Sequence, residues 1–200
     1  MSKTPHKREA FIEDLSHFIH TYHLDGIELN WQFPSSTDEL QALGTLAKEI
    51  KHSFPKLLLS IASPPSIPFF QALLAVQEHF DIFHIMFYLD LNLDVATTLK
   101  ILMQWYPSSK LTAGIPFFLS AESGTKSYEE AILLGGDQPS QQAFWNVAKR
   151  TIDAVKSANL AGVSIWEIGQ DCRPRPVPTH PVTCPDPSQS LLYRIYQELE

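Results

Sequence analysis

No apolar run in this chain is long enough to span a bilayer, and no charged-then-apolar leader with a cleavage site is legible at its start. The sequence therefore reads as neither membrane-anchored nor visibly targeted, and its location is left open. No glycine-rich phosphate loop follows any strand-like run, which argues against a nucleotide site. Excess positive charge is missing too: the net charge of -7 argues against partnership with nucleic acid or with an anionic membrane. No internal repeat or low-complexity segment stands out. Cysteine is scarce, with Cys172 and Cys184 both in the proline-rich stretch "DCRPRPVPTHPVTCPD". Three readings of that pair stand side by side: a disulfide worth roughly 3 kcal/mol if formed, two free thiols, or a metal site that would recruit His180. Three ligands in a loop fall short of a standard zinc motif. Metal is thus not expected, and no other feature calls for a cofactor.

What is present is an ordinary globular composition, 44% hydrophobic and 18% charged, in 200 residues, enough for one domain with a sizeable core. Apolar residues at Phe11, Ile12, Leu15, Phe18, Ile19 and Tyr22 recur at helical spacing. His17, His20 and His23 fall in the same stretch and read as surface residues. "STDELQALGTLAKEIKHSF" predicts a helix with Ser36 or Thr37 as N-cap and acidic residues in its first turn. "KLLLSIAS", "FDIFHIMFYLD", "KLTAGIPFF" and "AGVSIWEIG" predict strands. Between them "IPFFQALLAVQEHF", "DVATTLKILMQWY" and "QQAFWNVAKRTIDAVKSANL" predict helices, and "QSLLYRIYQELE" predicts a last one. Strands alternating with helices imply a parallel sheet joined by crossovers.

One further strand departs from the apolar rule. In "DGIELNWQFP" Ile27, Leu29 and Trp31 share one face and Glu28, Asn30 and Gln32 the other. Such a polar row is costly inside a fold unless paired, so it marks a site in the mouth of a β/α barrel. The alternative is an edge strand with one solvated face.

The stretch "DGIELNWQFP" resembles the signature of glycoside hydrolase family 18, the chitinases and chitinase-like lectins. "IMFYLD", "LTAGIPFF", "TKSYEEAI" and "AGVSIWEIGQD" resemble the family's sixth strand, seventh strand, following insertion and eighth strand, in that order. The similarity runs from about Arg8 to the end. It implies an α/β fold, a partial (β/α) TIM-type barrel of about five strand–helix units matching the family's fourth to eighth, with three N-terminal strands missing. The whole chain, 1–200, reads as one N-terminally truncated domain with an insertion at 118–139. The open sheet edge would then mean a fragment or mis-started product, another chain that covers the gap, or a remnant that closes some other way.

The resemblance also assigns positions. Gln32 falls where the family has its general acid, Asn30 where an Asp orients the substrate's acetamido group, and Glu28 where the first inner Asp stands. An amide has no proton to deliver near neutral pH, and general acid catalysis is worth roughly a hundred- to ten-thousand-fold in rate. Tyr88 is implied to contact the acetamido oxygen and Trp166 to floor one sugar ring. Trp31, Met86, Phe117 and Asp25 complete the implied substrate-binding set. Glu167 and Asp171 beyond the Trp strand read as solvated or as rim contacts. Where the family has Asp after Tyr88, this chain has Leu89, and Asp90 comes one place late, which in an extended strand would turn it to the opposite face. These features imply a chitinase-like protein, catalytically inactive at Gln32, with weak binding of chitin or other N-acetylglucosamine glycans. Its rivals are an active chitinase using Glu28 or water, and a remnant or interaction module that kept only the scaffold. The family resemblance also suggests secretion.

Overall fold

The computed structural model describes residues 4–31, 36–121, 124–133, 140–172, 184 and 186–200. Helix α1 (Pro5–Tyr22) leads into strand β1 (Gly26–Asn30), followed by α2 (Thr37–Ser53), β2 (Leu58–Ser63), α3 (Ile67–Leu73), β3 (Ile82–Ile85), α4 (Val95–Leu102) and β4 (Leu111–Pro116). A hairpin of β5 (Phe118–Ala121) and β6 (Gly124–Ser127) precedes α5 (Tyr128–Leu133), then α6 (Gln141–Ala158), β7 (Gly162–Trp166) and α7 (Leu191–Leu199). Five strands form one parallel sheet in the order β1-β2-β3-β4-β7. This is the partial β/α barrel that the sequence predicts. Among the described residues β1 has β2 as its one strand neighbour and β7 has β4, so the sheet is open at both sides.

Local chemistry sets the elements. Ser36 caps α2 by accepting from the Glu39 N–H at 3.3 Å, and Ser140 caps α6 by accepting from Ala143 at 3.1 Å. Helix α6 ends at Asn159, whose φ of 50° is the left-handed conformation that asparagine tolerates. Successive side chains along each strand alternate between two faces. On the helix-facing side Leu29, Leu59, Ile61, Phe83, Ile85 and Leu111 are buried in one apolar core. A second core gathers Ile115, Phe117, Tyr128, Phe144 and the α7 residues Leu191 and Ile195. The apolar parity of each strand thus assigns its other face to the barrel interior.

Three boundaries differ from the periodicity. The helix expected over "IPFFQALLAVQEHF" is α only to Leu73 and tightens into a 3-10 turn over Leu74–His79. Lys110 satisfies carbonyls at that tightened end, donating to Gln77 and to Phe80 at 3.3 and 2.6 Å. Strand β3 stops at Ile85, and Phe87–Leu89 coil into a 3-10 turn. "KLTAGIPFF" divides at Pro116, because Phe118 onward leaves the parallel sheet for the antiparallel β5–β6 hairpin.

Of the three readings of the cysteines, the structure has the disulfide. Cys172 and Cys184 are joined, with Cα atoms 5.1 Å apart, and both are buried. His180 lies outside the described residues. Asp171, expected at the solvated rim, is instead buried. Its carboxylate accepts from Ser190 Oγ at 2.7 Å and from the Leu191 and Leu192 N–H groups at 3.0 and 3.1 Å. The first turn of a helix has N–H groups with no partner inside the helix, and Asp171 supplies the acceptor for two of them.

Candidate functional site

Strand β1 shows the alternation the sequence predicts. Ile27 and Trp31 pack against the main core and Leu29 is buried in it, while Glu28 and Asn30 are exposed on the opposite face. Gln32, the next residue of that parity, lies outside the described residues. The parallel register carries the inner face across the sheet. Glu28 stands beside Ser60, and Asn30 aligns through Ala62, His84 and Thr112 to Gly162. Toward the C-terminal end, Gly114 pairs with Ser164 and Pro116 with Trp166.

Trp166 ends β7 on the inner parity, since Val163 and Ile165 pack into the cores. The residue is 47% exposed, an open apolar side chain at the C-terminal end of the sheet, where β/α barrels build their sites. The peptide bond between Trp166 and Glu167 is cis. Tyr88 lies in the 3-10 turn after β3, half-buried, its ring edge-on to Phe118 with centroids 6.1 Å apart. It rests on Gly114: a Cβ there would lie 2.7 Å from Tyr88 Cε1. Burial, and then the charge of Glu28, push the Tyr88 phenol up to about 12. The hydroxyl therefore keeps its proton at neutral pH and can donate a hydrogen bond.

Sequence reasoning missed His84. Its Nδ1 lies 2.7 Å from Thr112 Oγ1 and its Nε2 lies 3.3 Å from Glu28 Oε2. The distance to Glu28 is that of an ion pair, yet burial lowers the ring's pKa below 6.5, and the Glu28 charge only opposes that shift. Desolvation wins, so the ring is neutral at pH 7. The partners then assign the tautomer: the Nε2–H faces the carboxylate, and Nδ1 accepts from the Thr112 hydroxyl. The alternation in "FDIFHIM" could have shown His84 to be on the inner face, opposite Phe83 and Ile85. Its partners lie on other strands and were not visible.

The lowered pKa has a consequence for stability. A folded state that binds the proton less readily than the unfolded chain loses stability as that proton is taken up. The contribution of His84 is present in full above about pH 6.5 and is lost as pH falls from there through the folded value. Urea unfolding at pH 7.5 and 5.5, a window above the ordinary carboxylate range, should show wild type losing more stability on acidification than His84→Asn. Equal losses would contradict the neutral, half-buried ring.

The other predicted residues divide. Met86 and Phe117 are buried, Met86 with its N–H on the Ser63 carbonyl and Phe117 in the second core. Trp31 packs toward the helices. Asp25 is exposed at the N-terminal end of β1, the end away from Asn30, and its carbonyl accepts from Leu58 at 2.9 Å. The face-switching expected of Asp90 does not apply, because Tyr88 and Leu89 lie in a 3-10 turn rather than an extended strand. Asp90 caps its own turn, accepting from the Asn92 N–H at 3.0 Å. Glu167 is exposed. No group of three or more potential metal ligands occurs among the described residues, and none of their helices is long and apolar enough to cross a membrane.

The model of one family, glycosyl hydrolases family 18, matches residues 1–150. A class V chitinase of Arabidopsis thaliana is 31% identical over an alignment of 71 residues that covers 31% of this chain and 19% of that protein. A chitinase of Bacteroides thetaiotaomicron has a similar fold, with a TM-score of 0.71 at 16% identity over 98% of this chain and 70% of its own. Human YKL-39, described as a pseudo-chitinase with retained chitooligosaccharide binding properties, aligns with a TM-score of 0.67 at 14% identity, over 84% of this chain and 68% of its own.

Proposed function

This chain belongs to glycosyl hydrolases family 18, and we propose that it is a chitinase-like protein that binds N-acetylglucosamine-containing glycans without cleaving them. The observation that carries this reading is the sequence of one stretch: of the alternate positions Glu28, Asn30 and Gln32 in "DGIELNWQFP", two are amides. Enzymes of this kind use the substrate's own acetamido carbonyl as nucleophile, an exception to the two-carboxylate scheme, and still need a carboxylic acid to protonate the leaving oxygen. Gln32 can hydrogen-bond that oxygen but cannot protonate it. Asn30 likewise carries no charge to stabilise a positive ring intermediate.

Binding asks less of the site. Trp166 offers an exposed apolar plate for a pyranose ring, Tyr88 a protonated phenol, and Asn30 and Glu28 polar groups on the same inner face. YKL-39 is described as a pseudo-chitinase with retained chitooligosaccharide binding properties, and this chain fits that pattern. Calorimetric titration with chitotriose tests it. Wild type should bind, and Trp166→Ala should weaken binding at least about tenfold by removing the apolar plate. Equal affinity of wild type and Trp166→Ala, or no binding by either, would point instead to a scaffold used for something other than sugars.

A further inference from the structure

His84 has no part in the reading above, yet on the inner face it joins two polar side chains from different strands. Thr112, nearly fully buried, holds one ring nitrogen at 2.7 Å, while the other points to Glu28 at 3.3 Å. The side chains of Glu28 and His84 are 41% and 28% exposed, so the pair is partly buried and partly open to solvent. We infer that His84 is a positioning residue of the glycan cleft: it holds the Glu28 carboxylate as an acceptor for a sugar hydroxyl or acetamido N–H, and protonation of its ring withdraws that acceptor. The inference rests on the glycan-binding reading.

The chemistry follows from lone pairs. With the ring neutral, His84 donates to one side of one Glu28 oxygen. An ionised carboxylate accepts at about four sites, so capacity is left for a ligand. With the ring protonated, the hydrogen bond becomes a salt bridge between two ions, its net charge is cancelled, and the carboxylate turns inward to the imidazolium. Thr112 accommodates both states, since a hydroxyl can donate to neutral Nδ1 or accept from its protonated form. The surroundings leave this exchange to one partner. On the same inner parity β1 carries Glu28 and the uncharged Asn30, β2 Ser60 and Ala62, β4 Thr112, and β7 Gly162 and Ser164. Tyr88 is the other titratable group nearby and stays protonated, its pKa being raised to about 12. Among the described residues, Glu28 is therefore the anion that responds.

The test uses the whole chain and two readouts. Calorimetry with chitotetraose at pH 7.5, 6.5 and 5.5, with the fold checked by circular dichroism at each, should show wild-type affinity falling about fivefold on acidification. His84→Asn should bind more weakly than wild type at pH 7.5 and lose the pH dependence, and Glu28→Gln should lose it as well. A purely structural role for His84 would weaken binding but leave the pH profile in place. Without any sugar, carbon NMR of the Glu28 carboxyl should follow the titration of the His84 ring. A carboxyl signal that ignores that titration overturns the inference whether or not glycan binds. Absence of wild-type binding at pH 7.5 with the NMR coupling intact overturns the glycan-binding reading and the acceptor role, and leaves only the paired side chains.

Discussion

Gly114→Ala is expected to cost about 3 kcal/mol of folding stability and to weaken glycan binding at the same time. A Cβ at this position would lie 2.7 Å from Tyr88 Cε1 and 2.8 Å from the Ile85 carbonyl oxygen. The tyrosine ring can swing away, but only by leaving its place on the inner face. The carbonyl has no such freedom, since Ile85 is held in β3 between β2 and β4, in register with Ser63 and Ala113. Chemical denaturation gives the stability cost, and calorimetry at a temperature where the variant is folded gives the binding loss. Adding Tyr88→Ala to Gly114→Ala separates the two collisions. The double variant should recover the part of the stability due to the ring and none of the part due to the carbonyl, a coupling that a double-mutant cycle measures directly. A Gly114→Ala protein as stable as wild type would mean that β3 and β4 are not packed as described.

Asp171→Ala should be comparably severe, about 3 kcal/mol, for a reason unrelated to the cleft. The buried carboxylate accepts three hydrogen bonds, from Ser190 Oγ and from the N–H groups that open α7. Truncation leaves those donors buried without an acceptor, and it loosens a helix whose Leu191 and Ile195 complete the second core. Asp171→Asn keeps one oxygen acceptor and should lose about half as much. Hydrogen exchange adds a local reading: the Leu191 and Leu192 amides should lose protection in Asp171→Ala ahead of amides in β2. Unchanged protection at the start of α7 would remove Asp171 from its capping role.

The strands were legible because Leu59, Ile61, Phe83, Ile85 and Leu111 recur with the period of a strand, and polar caps such as Ser36 and Ser140 bracket the helices between them. Glu28 and Asn30 were legible for the same reason in negative: they interrupt a row that apolar residues should fill. What the sequence hid depends on contacts between segments far apart in the chain. His84 reads as one histidine in an apolar run until Thr112 and Glu28 are placed beside it. Asp171 looks like a loop carboxylate until α7 folds back over it. Gly114 looks like a neutral choice until Tyr88 needs the space. The position of Asp90 was misjudged because strand alternation was extended into Phe87–Leu89, where the chain had already turned. Met86 and Phe117 entered the site through motif resemblance alone, which carries no information about burial.

The central claim is that this chain holds a chitooligosaccharide and leaves it whole. The most direct measurement follows one sample of chitotetraose with the protein for a day, using saturation-transfer NMR to detect bound sugar and chromatography to detect its products. The account predicts transfer to the acetamido methyl protons, its loss in Trp166→Ala, and tetrasaccharide that stays intact throughout. Shorter oligosaccharides released by wild type and abolished in Glu28→Gln would contradict it, and would make Glu28 the acid that Gln32 cannot be.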